Sequence, residues 1–549
     1  MPVPKWMPWA AAVVSAALLE LPFPLAGPMP AWRGLIAFVA LVPLLWAILA
    51  PTESPRPLRH SFLLGYLCGV LWYAGNCYWI YDTMLIHGGV PPAGSVGLLF
   101  LYSLVLGLYF GLFALGVKFI ASRLSIGLAL IAAPFLWTAL DLAAARITSV
   151  PWDQLGYSQV DNDFFTPLAT LTGVCGITLL LVGKNAILAY GILRPFKSRW
   201  LRLCAIFLVI LGMNVSLRPV LPALAENTTA TAILLQPNLD VSVDNRWNSP
   251  QLWNDHISQF ASLAKDHCQP STAGLPQTNA PEFRAACPTQ PPPGLIVWPE
   301  APSLSFYEAD SRFTQTMSSI ARDKNAALII GGIGADVVGN NEYNYNSAML
   351  WAADGSRIGR YDKIHLVPYG EFVPYRDLFF FAHKLTSQIG DFSRGTDRKT
   401  FLLTDRNGQN HRYGIFICYE SVFADEIRHF ALNGAEVLVN ISDDGWYGDT
   451  SAPWQHLNMA RMRAIENRRW ILRDTNTGVT SVIDPYGRVR QSIPRHTVGA
   501  LVAQYGFNSE TTFYTRHGDV FAWLCAILSL GILAWAGGRP LCQQIASKN

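Results

Sequence analysis

Long, nearly unbroken apolar runs dominate the first 220 residues and return once near the end of the chain; between them the pattern shortens to apolar runs of four to eight residues. A bilayer core about 30 Å thick takes about 20 apolar residues in a helix. Stretches of that kind lie near residues 6–25, 32–50, 61–81, 95–118, 126–146, 166–193, 201–217 and 519–537, and each predicts a membrane-spanning helix. Seven spans therefore precede a long segment of different character, and an eighth follows it. The first span, behind Lys5 alone, lacks the charged leader of a signal peptide and is followed by six more spans, so it reads as a helix of the bundle. Lys184 and Asn185 interrupt the sixth span at a cost in hydrocarbon, which implies either an inward-facing pair or a break in that helix.

From about residue 225 to 510 short β-rich runs alternate with helical ones, the pattern of an α/β domain. The expected strands are residues 231–238, 295–300, 326–332, 346–351, 414–420, 436–442, 470–476 and 480–485, with helices near 250–266, 311–323, 421–432 and 453–468. Residues 266–293 are rich in Pro, Ser, Thr and Ala and read as a surface insertion. Cys268 and Cys287 sit near its two ends; a disulfide between them and two free thiols both stay open. The domain plan is thus a seven-span bundle over 1–220, an α/β domain over 225–510, and an eighth helix with a short tail over 515–549.

Charge and composition sharpen this plan. Lys5, then Arg56 and Arg59, then Lys118 and Arg123, then Arg194, Lys197, Arg199 and Arg202, and finally Arg539 and Lys548 fall on alternate connections. Residues 82–94 and 147–165 carry no Lys or Arg, so both termini are expected in the cytoplasm and the α/β domain outside it. Hydrophobic residues make up 51% of the chain and charged ones 14%, a balance that fits a polytopic membrane protein carrying a soluble part. A net charge of +3 with no basic run interleaved with aromatics argues against nucleic acid as a partner. Nine cysteines without a C-x-x-C pair and eleven histidines without H-E-x-x-H indicate neither zinc nor a dithiol site, and no metal or cofactor is expected. Cys68, Cys77, Cys175, Cys204 and Cys525 lie in apolar stretches, where a thiol is ordinarily a small buried hydrophobe.

Three of the expected strands run into a functional group: WPE ends at Glu300, the segment after NSAMLW carries Lys363, and GIFICYE delivers Cys418. Strand ends are where α/β proteins assemble sites from residues distant in sequence. A carboxylate, an ammonium and a thiol make a complete acyl-transfer apparatus. The thiol, mostly protonated at neutral pH, needs a base as it attacks, and Glu300 is the candidate. Lys363 would steady the thiolate, depress the thiol pKa and face the oxyanion, with the N–H of Tyr419 as a second donor.

The ordered motifs WPE, DKIHLVPYGEFVPYR, CYES and SDDGWYGDTSAPWQHLNMARMRAIENRRW resemble the nitrilase superfamily with its Glu-Lys-Cys triad. With seven spans before and one after, PYGEFVP and PWQHLNMARMRA narrow the resemblance to the apolipoprotein N-acyltransferase branch, over nearly the whole chain. That resemblance implies an α-β-β-α sandwich inserted into a membrane bundle of the bacterial inner membrane. It also implies ping-pong chemistry: Cys418 takes an acyl chain from a phospholipid donor and passes it to the amine of a diacylglyceryl apolipoprotein acceptor. Glu371, Tyr419, Glu420, Asn346, Trp247 and Trp446 match positions that bind substrate or line the site. One departure stands out, because Asp443 occupies a place where the family commonly has Asn; the expectation is that its carboxylate points away from the thiol.

Two other readings fit parts of the pattern. A membrane-tethered amidase would use water as acceptor, although eight spans exceed the needs of a tether. A transporter bundle with a sensor domain would find its only support in Lys184 and Asp141.

Overall fold

The computed structural model describes residues 4–51, 54–193, 228–239, 250–264, 293–300, 307–368, 370–372 and 392–539. The chain divides into two compact units: Met1–Tyr81, Ala93–Pro222 and His517–Asn549 form one, and Asp82–Pro92 with Ala223–Arg516 form the other. The short connection Asp82–Pro92, between two helices of the first unit, thus belongs with the second.

Among the described residues, five helical segments of the first unit are long and apolar enough to cross a membrane: Ala31–Leu49, Pro92–Arg123, Ile126–Ile147, Val174–Leu193 and Val520–Gly537. Pro57–Asn76 adds a further helix of 20 residues, whereas Met7–Glu20, where the first span was expected, is helical for only 14. The expected span over 201–217 lies outside the described residues. The sixth span is shorter than its apolar run because Gly173, at φ +63°, ends a short turn before the helix begins at Val174. Glycines let two helices approach closely here, as small residues do in membrane interfaces. A Cβ on Gly65 would stand 2.4 Å from the carbonyl oxygen of Phe110, and one on Gly107 would stand 2.7 Å from the side chain of Val70.

Ala31–Leu49 is not one continuous helix. A 3-10 segment, Ala31–Phe38, gives way to the α-helix Val42–Leu49, and the turn between them frees amides where no water can satisfy them. Two buried side chains supply the partners. Asn185 accepts from the Leu41 N–H at 2.8 Å and donates to the carbonyl of Ala37 at 2.8 Å. Ser15 donates to the carbonyl of Ala40 at 2.7 Å and accepts from the Leu44 N–H at 2.9 Å. The sequence left open an inward-facing pair or a broken helix at Lys184 and Asn185. The helix runs unbroken through both, and only Asn185 turns fully inward. Lys184 is half-buried, its ammonium 4.3 Å and 4.5 Å from the ring centres of Phe38 and Phe165.

Among the described residues the second unit contains twelve strands: β1 Ala230–Gln236, β2 Leu295–Trp298, β3 Ala327–Val338, β4 Asn341–Trp351, β5 Arg357–Asp362, β6 Thr400–Thr404, β7 Asn410–Ile417, β8 Val437–Ser442, β9 Trp470–Thr475, β10 Thr480–Ile483, β11 Val489–Ile493 and β12 Gly499–Tyr505. They form two six-stranded sheets in the orders β12-β1-β2-β3-β4-β5 and β11-β10-β9-β8-β7-β6. Parallel pairs occupy the middle of each sheet: β1, β2 and β3 in the first, β7, β8 and β9 in the second. Side chains alternate across β1. Ala232 and Leu234 enter the core between the sheets, where they meet Ile415, Ile417, Val437 and Val439; Ile233 and Leu235 enter an outer core with Phe313 and Met317 of the helix Ser311–Lys324. Ala424–Leu432 and Ala452–Asn467 add apolar side chains such as Phe430 and Ala460 from the other sheet's outer side, which completes an α-β-β-α sandwich. The four strands that the sequence pattern did not indicate, β5, β6, β11 and β12, are the four sheet edges.

Candidate active site

Strand direction explains why distant residues meet. Glu300 follows β2, Lys363 follows β5, Cys418 follows β7 and Asp443 follows β8, while Asn346 lies in β4 across the ladder from Lys363, whose N–H donates to the Asn346 carbonyl at 2.9 Å. The Lys363 ammonium is buried and donates to Glu300 Oε1 and to Glu371 Oε1, each at 2.9 Å. The Asn346 amide donates to the same two oxygens, at 2.7 Å and 2.6 Å. Each carboxylate is fixed by its second oxygen as well, Glu300 by the Asp443 N–H at 2.9 Å and Glu371 by the Val367 N–H at 2.8 Å. Burial works against the Lys363 charge, but Glu300, Glu371 and Cys418 hold the ammonium well above its ordinary range.

Cys418 is not the last residue of its strand. It opens a 3-10 turn, Cys418–Val422, with φ +49°, a left-handed conformation that costs a residue with a Cβ about 1–2 kcal/mol. The side chain is only 4% exposed. Burial pushes the thiol well above its ordinary pKa and Glu300 adds to the shift; Lys363 opposes it, as does the Ser442 hydroxyl, without reversing it. The expectation of a depressed thiol is therefore corrected: the ammonium acts in the expected sense, but desolvation of a buried thiolate outweighs it.

Glu420, two residues on, is buried and accepts at every side. It takes the N–H groups of Ile417 (2.7 Å), Ile364 (2.6 Å) and His365 (3.2 Å), and the Tyr361 hydroxyl at 2.8 Å and 2.9 Å. One carboxyl thus ties the Cys418 turn to the loop that carries Lys363. Tyr419 is half-buried with its ring edge-on to Phe423 at 5.2 Å. Trp446 is half-buried; its carbonyl accepts from Thr83 at 3.1 Å and its ring meets His87 at 5.2 Å. Trp247 lies outside the described residues, as do Cys268 and Cys287. Cys68, Cys77, Cys175 and Cys525 are buried and unbridged.

The Asp443 carboxyl is buried and faces the Gly445 N–H and the Asn476 amide, both at 3.0 Å. Burial, then Glu300, push it well above the ordinary carboxylate range. The adjacent Asp444 behaves oppositely. Burial would raise it, but Arg473 (2.7 Å) and His456 (2.9 Å) hold it below the ordinary range.

His456 and Arg473 were not singled out from the sequence. A signal was present: Ala452–Asn467 buries Gln455, His456, Arg463, Glu466 and Asn467 besides its apolar residues, more than an ordinary amphipathic helix tolerates. Among the described residues no cluster of His, Cys, Asp and Glu could hold a metal ion.

Residues 7–187 match the family described as apolipoprotein N-acyltransferase N-terminal domain, and residues 240–511 match the carbon-nitrogen hydrolase family. The chain is 32% identical over 535 residues to a Geobacter metallireducens protein named apolipoprotein N-acyltransferase, covering 96% of this chain and 95% of that one. A Nitrosomonas europaea protein of the same name is 31% identical, with 92% and 93% covered. The crystal structure of a carbon-nitrogen hydrolase from Helicobacter pylori G27 is 17% identical with a TM-score of 0.35, covering 50% of this chain and 88% of that one, a likeness too slight to bear on function.

Proposed function

The chain belongs to the apolipoprotein N-acyltransferase family, and from that premise we propose that Glu300, Lys363 and Cys418 are the triad through which it acylates the amino terminus of lipoproteins, by way of a thioester on Cys418. It is a bacterial inner-membrane protein. The alternating Lys and Arg of its connections support cytoplasmic termini and a catalytic unit on the outer face. A match to the family's N-terminal domain over residues 7–187 disfavours the tethered amidase.

In the first step the Cys418 sulfur attacks an ester carbonyl of a phospholipid while its proton passes to Glu300. A base is required because burial keeps the thiol protonated. The developing oxyanion faces the Lys363 ammonium and the Tyr419 N–H. Collapse expels the lysophospholipid alkoxide, which takes the proton from Glu300, and the acyl chain remains on sulfur. In the second step the α-amine of S-diacylglyceryl-cysteine attacks the thioester. Its proton passes through Glu300 to the departing sulfur, leaving an amide and a regenerated thiol. Glu371 and Asn346 hold Lys363 and Glu300 in place, Glu420 holds the turn, and Tyr419 and Trp446 line the path of the lipids.

The observation that carries the reading is the fully buried ammonium bridging Glu300 and Glu371 beside a buried cysteine in a left-handed conformation. Intact mass after exposure to phospholipid tests it. One fatty-acyl adduct, removed by hydroxylamine and mapped to Cys418, is expected, and Cys418→Ser should gain no such adduct. Retained acyl transfer in Cys418→Ser would end the assignment.

A further inference from the structure

We propose that His456 is a positioning residue for acyl transfer: by gripping the carbonyl of Cys418 it aims and polarises the N–H of Tyr419 toward the oxyanion. The inference rests on the reading of Cys418 as the acylated nucleophile. His456 is fully buried, and its Nε2 lies 2.9 Å from the Cys418 carbonyl oxygen. A carbonyl only accepts, so Nε2 carries the hydrogen.

That carbonyl belongs to the peptide joining Cys418 to Tyr419. A trans peptide is planar, with its C=O and N–H pointing to opposite sides, so fixing the oxygen against His456 also fixes the direction of the Tyr419 N–H. A hydrogen bond to the oxygen also draws electron density from the nitrogen and makes the N–H a stronger donor. The strained residue is bracketed: Glu420 holds the Ile417 N–H before it at 2.7 Å, and His456 holds the carbonyl after it.

The imidazole is itself well anchored. Its Nδ1 stands 2.9 Å from Asp444 Oδ1 and 3.1 Å from an Arg473 guanidinium nitrogen. Asp444 pairs with Arg473 at 2.7 Å and accepts the Ser442 hydroxyl at 2.9 Å, and the Tyr447 ring lies edge-on to the imidazole at 5.9 Å. Arg473 also donates to the Asn440 side chain. Asp444 thus supports the main chain at Cys418 through His456.

Two reactions of the same sulfur separate oxyanion support from mere support of the fold. Acylation by a phospholipid passes through a tetrahedral oxyanion; alkylation by iodoacetamide is a direct displacement without one. The experiment compares full-length His456→Asn, which loses the donor to the carbonyl, with His456→Gln, whose longer amide reaches it. Both rates are read by mass at Cys418, using a dioleoyl phospholipid in mixed micelles as acyl donor. Loss of a whole oxyanion donor costs about 10²- to 10³-fold, so weakening one should slow acylation of the Asn variant about tenfold or more. Alkylation should stay within about twofold of wild type, since no oxyanion forms in it, and the Gln variant should recover most of the acylation rate. Unchanged acylation in His456→Asn, or a parallel fall in both rates that Gln does not rescue, would overturn the proposal. Should wild-type protein gain no adduct at Cys418, the reading beneath it fails instead, a result distinguishable because it precedes any variant.

Discussion

Glu420→Gln should cripple the nucleophile without touching substrate affinity. The carboxylate divides its work between its two oxygens: one receives the Ile364 and His365 N–H groups, the other the Ile417 N–H, and the Tyr361 hydroxyl reaches both. An amide keeps only one acceptor oxygen. If that oxygen stays with Ile364 and His365, the new NH2 faces the Ile417 N–H, and a charge-assisted bond worth about 1.5–3 kcal/mol is lost beside the nucleophile. Holding Cys418 at φ +49° costs about 1–2 kcal/mol, so the loss is large enough to let the turn relax. A sulfur displaced by about 1 Å costs about 10²-fold in rate. Steady-state kinetics with a diacylglyceryl peptide should therefore show kcat down about 10²-fold and KM within about threefold, the signature of a lost positioning interaction. Alkylation of Cys418 should slow alongside, unlike in His456→Asn. A raised KM with intact kcat would refute this and return Glu420 to the substrate-binding role that the motif suggested.

Asp443→Asn should keep most activity, because burial and Glu300 already disfavour charge on this carboxyl; one lost acceptor toward Asn476 costs about 1 kcal/mol, or less than tenfold. A marked rise in Cys418 alkylation in that variant would mean that the wild-type carboxylate is charged. The pH dependence of alkylation follows from the raised thiol: a proton held more tightly leaves less thiolate at neutral pH, so reactivity should climb only above the ordinary thiol range near about 8.5. Lys363→Met, by removing a group that opposes the shift, should move the profile further up, and a half-point at or below the ordinary value would contradict the account. In the membrane unit, Asn185→Leu strips partners from the Leu41 N–H and the Ala37 carbonyl; at about 1–3 kcal/mol for each orphaned group, the thermal midpoint in detergent should fall clearly. An unchanged midpoint would mean that the turn between Phe38 and Val42 finds other partners.

Whether a strand was legible depended on its place in its sheet. Inner strands are buried where they read as apolar runs: β2 and β8 along their whole length and β7 over its last five residues, Tyr413–Ile417. Edge strands carry exposed positions: β5 reads RIGRYD and β6 alternates buried with exposed residues, so neither rises above the surrounding loops. The proposed triad could be picked out because each member sits in a short motif at a strand end. His456 and Arg473 could not, since a polar residue in a helix or strand looks solvated until the surrounding layers are known.

The apolar runs by themselves decided that this chain has a membrane part and an α/β part, and local chemistry at three strand ends singled out the residues proposed to carry the reaction. Both are properties of contiguous residues. Only the tertiary structure decided the upward shifts at Cys418 and Asp443, the left-handed backbone at Cys418 and the contacts that hold it. Those depend on desolvation and on hydrogen bonds between residues dozens to hundreds of positions apart, which no local pattern encodes.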